Sequence, residues 1–386
     1  MTVPQLSPEA TTVERFERDV RAWLEEHAAD LRGYRVEPWS SVSHQVARMR
    51  PFHRMLFDAG FTSMGWPVEI GGSGGTPLLR GVLYDEVLSA GYELPKGFEF
   101  LEIIVPTLMH FASHLAARHL PGLINGDELM CQGFSEPDFG SDLASIVTRA
   151  RETEDGFRIS GQKTWIGNGH IADWCLLLAR TGDRASRHRG LTMFWLDMAS
   201  PGITTRPIEL AAGTDELAEV FLDDVVVPRD HLVGEVNGGW NVAMHLLQFE
   251  RGNWAWQRQA YLDARLRERA RDIEPKTPEA AFAVGQAFLD LLALRALAHR
   301  SLHETAAGRQ VGEDSSIAKL VLSMAEKSVV DAERALDPDR ALVDDGLGPG
   351  GGAWFHSRSA SIFGGAAEVQ RDVVADRLLH LPRAPR

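Results

Sequence analysis

Apolar residues along this chain change their spacing twice, and that double switch limits the fold more than any single motif. Up to about Asp127 they recur at helical spacing. VERFERDVRAWLEEHA predicts an amphipathic helix, and Val42 to Phe57 a second. After the Gly-rich break GWPVEIGGSGGTP (65–77), LLRGVLYDEVLSAGYE and FEFLEIIVPTLMHFASHLAARH predict two more helical stretches. From about 129 to 235 the residues alternate instead. TRARETEDGFRISG predicts a hairpin turning at Glu154-Asp155-Gly156, and WCLLLAR, LTMFWLD, ITTRPI and EVFLDDVVV predict short strands. From about Trp240 to Leu379 the helical period returns. Its longest run, TPEAAFAVGQAFLDLLALRALAHRSLHETAAG, has the apolar density of a bundle core. SSIAKLVLSMAEKSVVDAERAL follows, and then a polar Gly-rich loop, DPDRALVDDGLGPGGGA.

The expected fold is therefore α+β and multidomain. A helical N-terminal domain spans 1–128, a middle antiparallel β-sandwich or barrel 129–235, and a C-terminal four-helix bundle 236–386. A chain of 386 residues suits two or three packed subdomains. A β module between two helical blocks carries apolar faces on both sides, and the crevice where it meets the helices is a natural ligand site.

Charge and cysteine usage exclude several classes. The net charge of −14 argues against nucleic acid, which requires a basic footprint, and against an anionic membrane surface. The stretch from Ile103 to Ala117 carries Pro106, His110 and His114 and is too short and polar to span a bilayer. The N-terminal residues show no basic start followed by an apolar run, so no signal peptide is expected. Cys131 and Cys175 fit neither a metal spacing nor a disulfide framework, which points to a reducing, cytoplasmic setting. Fourteen histidines are scattered without ligand spacing, and no metal site is expected.

The densest chemical signal is CQGFSEPDFGSD (131–142), followed by GQKTWIGNG (161–169). No phosphate-loop lysine motif, Rossmann fingerprint or nucleophile elbow is present. Ser135, Gly140 and Ser141 form a strand end small enough for backbone N–H groups to approach an anion or a ring edge. Trp165, in an adjacent strand, offers a flat face to a planar cofactor. From these residues alone a plain β-turn beside a core tryptophan accounts for the pattern slightly better.

These two segments resemble the flavin-binding signature of the acyl-CoA dehydrogenase family. The similarity extends to GWPVEIGGSGG, GEVNGGW and SIFGGAAEVQRDVVADRLLHLPR, in the right order across a helix–β–helix plan. The resemblance implies FAD as cofactor. It assigns Gln132, Phe134, Ser135, Gly140, Ser141, Trp165, Ile166, Gly167, Ala366 and Glu368 to cofactor binding. It assigns Ser141, Phe249, Arg251, Phe363, Gly364 and Gly365 to the acyl thioester, with Arg251 alternatively fixing its helix or orienting Glu250. One departure is Gly167, where the family usually has a Thr or Ser whose hydroxyl reaches the flavin near N5.

The implied reaction removes an α-proton while hydride leaves the β-carbon. It needs a carboxylate in a dry pocket and donors on the thioester carbonyl. Many members carry that Glu before a Gly-Thr/Ser pair in the C-terminal segment, where this chain has Gly364. Isovaleryl- and long-chain-type members carry it directly before an Arg on a helix of the third domain, which HLLQFERGNW matches at Glu250-Arg251. Glu250 is therefore the expected base; the bland alternative is an exposed helical Glu paired to a nearby Arg. The aromatics Trp254, Trp256 and Phe363 are candidates for an acyl pocket, although aromatics at these spacings are more often core.

The motifs by which family homotetramers reach a neighbour's FAD are missing. RLRERARDIEPKTPEAAF lacks Arg-x-x-Phe-Gly, ALDPDRALVDDGLG lacks the Gln…Gly-Gly loop, and Ala366-Ala367 replaces Thr-Ser. The resemblance thus implies an acyl-CoA substrate, an electron-transfer flavoprotein as acceptor, and either a homo-oligomer or an α2β2 heterotetramer with a paralogous subunit. A flavin monooxygenase or oxidase on the same fold, or a non-catalytic partner subunit, are the competing expectations.

Overall fold

The computed structural model describes residues 13–382 except 38, 273, 310 and 339–348. Most of the polar Gly-rich loop, with Asp344-Asp345, and the first residues read for a signal peptide lie outside the described residues.

Five helices open the chain: α1 (Val13–Glu26), α2 (Val42–Asp58), α3 (Leu78–Ser89), α4 (Phe98–Phe111) and α5 (Ser113–Asn125). In α1, Phe16, Val20 and Leu24 recur every fourth residue and are the buried stripe. The run expected as one helix from 98 to 119 is two. Ala112 takes φ −154 and ψ 62, which breaks the helical ladder between α4 and α5. Helix α4 carries a buried carboxylate, Glu102, paired with Arg80 of α3 at 2.6 Å and accepting from the Tyr84 hydroxyl at 2.6 Å. Breaking such a sealed pair costs about 3–5 kcal/mol, so it fixes how α3 and α4 pack.

Eight strands follow: β1 (Met130–Gly133), β2 (Arg149–Thr153), β3 (Gly156–Gly167), β4 (Trp174–Arg180), β5 (Leu191–Asp197), β6 (Ile203–Ile208), β7 (Leu217–Pro228) and β8 (Leu232–Val233). They form one sheet in the order β6-β7-β3-β2-β4-β5-β8, with β1 beside β4. The β2–β3 hairpin closes with Thr153 opposite Gly156. The sheet is not wholly antiparallel: β1 and β2 both run parallel to β4. The chain between β1 and β4 is long enough for the crossover that parallel neighbours require.

The sheet curls on itself. Phe157 of β3 and Phe194 of β5 are not in neighbouring strands, yet their rings meet edge-on at 4.9 Å. Strand β4 shows why a sequence like WCLLLAR is continuously apolar. Cys175, Leu177 and Ala179 face the β core, while Leu176 and Leu178 face the helices.

The helical period resumes in α6 (Gly239–Asp272), α7 (Pro278–Ala306) and α8 (Ser315–Leu336), followed by α9 (Pro349–Ser359) and α10 (Ala367–Val373). Helix α6, of 34 residues, is the longest of these and packs against α3, α4, α7 and α8. Arg258 pairs with Glu326 and Arg265 with Glu333, a two-rung ladder that fixes the register of α6 against α8. Trp256 is core: its indole N–H donates to the Gly81 carbonyl at 3.1 Å. The apolar density of α7 has a different meaning from the one expected. It makes two stripes, one buried (Ala287, Leu291, Leu294, Ala298) and one exposed (Phe282, Leu289, Leu292). By length and composition α7 would also suffice to cross a membrane. Its start is fixed by Thr277, whose hydroxyl accepts from the Ala280 N–H at 3.2 Å, with Pro278 in the first turn.

Candidate active site

The two predicted cofactor segments lie side by side because a buried lysine ties them together. Lys163 of β3 is fully buried, and its ammonium donates to the Phe134 carbonyl at 2.9 Å and to Glu136 at 2.8 Å. Glu136 also accepts from the backbone N–H groups of Val147 and Thr148 at 2.7 and 2.9 Å. Burial pushes the Glu136 carboxyl upward, but the attraction of Lys163 and these hydrogen bonds outweigh it and hold it below its usual range. The Thr164 N–H donates to the Ser135 carbonyl at 3.0 Å. Segment 134–136 is thus clamped beside the residue preceding Trp165.

Between Lys163 and Ile166 the β3–β7 register slips by a bulge. Trp165 takes φ 60 there, a left-handed conformation that a bulky residue adopts only under constraint. The result turns its indole outward, 58% exposed, while Ile166 points into the β core and offers only its backbone to a ligand. A tryptophan held open on a strained bulge is a platform for a flat ring. Gly140 has open space where a side chain would stand, and Ser141 beside it is exposed. Ser135 is half-buried and Phe134 buried. Beside Gly167 the volume of a missing side chain is filled by Phe100 of α4, whose Cζ lies 3.3 Å from the Cβ position. An aromatic ring of the 98–104 stretch of α4 therefore stands where the family hydroxyl would be.

A second cluster meets this one at the end of β1. Gln132 donates its amide N–H to Glu250 of α6 at 3.3 Å. Glu250 Oε1 lies 3.0 Å from the point where a Cβ of residue 364 would stand, and Gly364 has φ 63. Glu250 and Gly364 were linked in sequence only by a Glu at one family position and a Gly at another; here Glu250 stands against the vacant side-chain position of Gly364. Arg251 Nε donates to the Gly364 carbonyl at 3.4 Å, and its other end lies 3.2 Å from the Cβ position of Gly365. Burial lowers the Arg251 guanidinium from its usual value, opposed by Glu250. Phe363 stands edge-on to Trp254 at 6.0 Å. Glu250 is half-buried, and among the described residues it has no ion pair; the exposed, Arg-paired alternative does not describe it.

Two assigned residues stand apart. Phe249 turns its ring toward His245 at 5.1 Å, within an aromatic group that includes His110 and Phe111. Burial lowers His245 to about 4, so its imidazole is neutral at physiological pH. Glu368 is exposed and lies 3.6 Å from Arg371. Ala366 caps α10 from the same turn as Gly364 and Gly365.

Two residues escaped the sequence reading: Lys319 of α8 and Gln370 of α10, both buried beside Gly364 and Gly365. Neither amide atom of Gln370 has a hydrogen-bond partner among the described residues. A signal for Lys319 did exist: it falls on the apolar stripe Ala318–Leu322–Ala325–Val329 of its own helix.

Comparison with known proteins places this architecture. Models of the N-terminal, middle and C-terminal domains of acyl-CoA dehydrogenase match residues 11–127, 131–225 and 237–379. The chain belongs to the acyl-CoA dehydrogenase family, oxidoreductases acting on CH–CH bonds. Among its relatives, acyl-CoA dehydrogenase IpdE1 of Mycobacterium tuberculosis is 33% identical over 96% of this chain and 98% of its own. Acyl-CoA dehydrogenase FadE34 of the same organism is also 33% identical, over 94% of this chain and 51% of its own length. The solved structure of the Tcur3481-Tcur3483 steroid ACAD is 27% identical and superimposes with a TM-score of 0.79 over 100% of both chains.

Proposed function

We propose that this chain carries out α,β-dehydrogenation of an acyl-CoA thioester to the trans-2-enoyl thioester, with Glu250 accepting the α-proton. The observation that carries this reading is the Glu250 carboxylate lying 3.0 Å from the Cβ position of Gly364. A side chain at 364 would crowd it, so the two family positions for a base converge on one space in this chain, and the one that carries a carboxylate is Glu250.

The site fits a flavin in three observed respects: the outward indole of Trp165, the open space at Gly140, and the unpartnered amide of Gln370. FAD, when bound, supplies the two-electron acceptor for the β-hydride. Trp165 would pack on the ring face, with Ser135, Ser141 and neighbouring backbone N–H groups toward its polar edge. Gln132 holds one carboxylate oxygen of Glu250, which leaves the other free to take a proton. The backbone N–H beside Gly364 would polarise the thioester carbonyl as charge develops there. Phe363 and Gly365 would line the approach of the acyl group.

We further propose steroid-derived acyl-CoA as the substrate class and a second, paralogous polypeptide as partner. Support comes from the relative named as a steroid ACAD, whose name joins two gene products. It also comes from the exposed stripe on α7, where Phe282, Leu289 and Leu292 recur at the spacing of a helix–helix seam. An electron-transfer flavoprotein is the proposed acceptor.

The test is anaerobic mixing of the FAD-loaded protein with a panel of acyl-CoA esters, following flavin bleaching. Steroid-side-chain thioesters should bleach it, and Glu250→Gln should keep its flavin and lose bleaching by about 10²–10⁴-fold. A Glu250→Gln variant that bleaches at the wild-type rate excludes this base. Rapid reoxidation by air would point instead to oxidase or monooxygenase chemistry.

A further inference from the structure

Lys319 is 2% exposed, on the buried face of α8, where the other charged residue, Glu326, is already paired with Arg258. A sealed ammonium ordinarily has a carboxylate against it, because burying an isolated charge costs several kcal/mol. Lys319 has no ion-pair partner among the described residues. Its Nζ donates to the Ala360 carbonyl at 2.7 Å and lies 4.3 Å from the centre of the Phe363 ring. Its Cε and Nζ stand 3.1 and 3.7 Å from the Cβ position of Gly364, the same point that Glu250 Oε1 approaches to 3.0 Å. Lys319 and Glu250 therefore flank the empty side-chain position of Gly364.

The charged groups around Lys319 narrow its role. From α6 come Glu250, Arg251 and Arg258; from α8 itself comes Glu326. From α9, His356 acts on Glu326. Arg258 and Glu326 are committed to each other as an ion pair. Arg251 is spent on the Gly364 carbonyl. Glu250 is the one carboxylate of this set without a counter-ion.

We propose that Lys319 is a positioning residue for the proton acceptor: its ammonium stands behind Gly364 and holds the half-buried Glu250 carboxylate in one orientation, toward the substrate side. This rests on the reading of Glu250 as base. A glycine at 364 is then required twice. It gives Glu250 room, and it lets the field of Lys319 reach Glu250 without an intervening side chain. Burial lowers Lys319 to about 8, partly opposed by Glu250, so the same lysine loses its charge on the alkaline side of neutrality.

The chain has five lysines, Lys96, Lys163, Lys276, Lys319 and Lys327, so selective lysine ε-¹³C NMR of the FAD-loaded protein gives a spectrum simple enough to titrate. Lys319→Met assigns the resonance, and Lys319→Arg serves if that variant does not fold. In the wild type the Lys319 signal should titrate near about 8. In Glu250→Gln its midpoint should fall by about half a unit or more, a loss of about threefold in proton affinity. An identical midpoint in both proteins overturns the proposal. The kinetic counterpart is the acidic limb of kcat/KM with whichever acyl-CoA bleaches the flavin. Lys319→Met should move that limb to higher pH with KM unchanged, and Lys319→Arg should restore it. A uniform loss at every pH assigns Lys319 to structure alone and refutes positioning. If Glu250→Gln retains full turnover, the base reading fails while the measured coupling still stands, so the two failures are distinguishable.

Discussion

Two lysines are sealed from solvent, Lys163 in the β domain and Lys319 in the bundle, and they are solvated by the protein in different ways. Lys163 has a carboxylate and a carbonyl at hydrogen-bond distance, and its partner Glu136 is itself held by two backbone N–H groups. That network is closed. It builds the loop on which Ser135, Gly140 and Ser141 stand. Lys319 has a carbonyl and an aromatic face but, among the described residues, no counter-ion, and the uncommitted carboxylate beside it belongs to the candidate base. A buried charge that is fully paired holds a shape; one left incompletely paired is held for what it does to a neighbour.

The largest effect that could break this contrast is in Lys163→Met. It strands Glu136 as a buried, unpaired carboxylate, so urea unfolding should show a loss of about 3–5 kcal/mol together with loss of flavin. A loss below about 1 kcal/mol would place Lys163 and Lys319 in one class. Next is Gly364→Ala. The left-handed backbone costs about 1–3 kcal/mol for a residue with Cβ, and the new methyl stands against Glu250 and Lys319. Stability and turnover should fall together; a stable, fully active variant would mean that the contact with Glu250 has no role.

Lys319→Met should change stability at pH 7 by about 1 kcal/mol or less, because the Ala360 carbonyl keeps the Ser323 hydroxyl as donor. The pH dependence separates the two lysines further. Burial holds Lys319 at about 8 in the folded protein against an ordinary value of 10.5, so the unfolded chain binds that proton more tightly. Wild-type stability should therefore rise with pH from about 8 to 10.5, the penalty being fully present below that window. Thermal melts of Lys319→Met should show a smaller rise over the same range. Smallest of all, Thr277→Ala removes the cap of α7 and should cost about 1 kcal/mol without touching flavin or turnover.

Particular residues show where the sequence was enough. The switch from helical to alternating period placed α1 to α5, the strands and the bundle in order, because each period reports which face of a local element is buried. It failed at Ala112, where one apolar run became two helices, and at α7, where apolar density marked an uncovered stripe as well as a core. The site was legible in part. Motif positions brought out Glu250, Gly364, Ser135 and Trp165, but Lys319 and Phe100 carry no motif, Gln370 was left unassigned within one, and the three come from different helices. The resemblance assigned Phe249 and Glu368 as well; the structure places the Phe249 ring against His245 and Glu368 on the surface beside Arg371.

By itself, the sequence determined the order of helices, sheet and bundle, the presence of a carboxylate at 250, and its absence at 364. Those are local facts, written in composition and spacing. Only the tertiary structure decided that Glu250 stands against the vacant side-chain position of Gly364, that Phe100 fills the space beside Gly167, and that an ammonium with no counter-ion among the described residues lies behind the base. Those contacts join residues more than a hundred positions apart for Glu250 and Gly364, and no local period encodes them. They follow from how α6, α8 and the turn before α10 pack around one glycine.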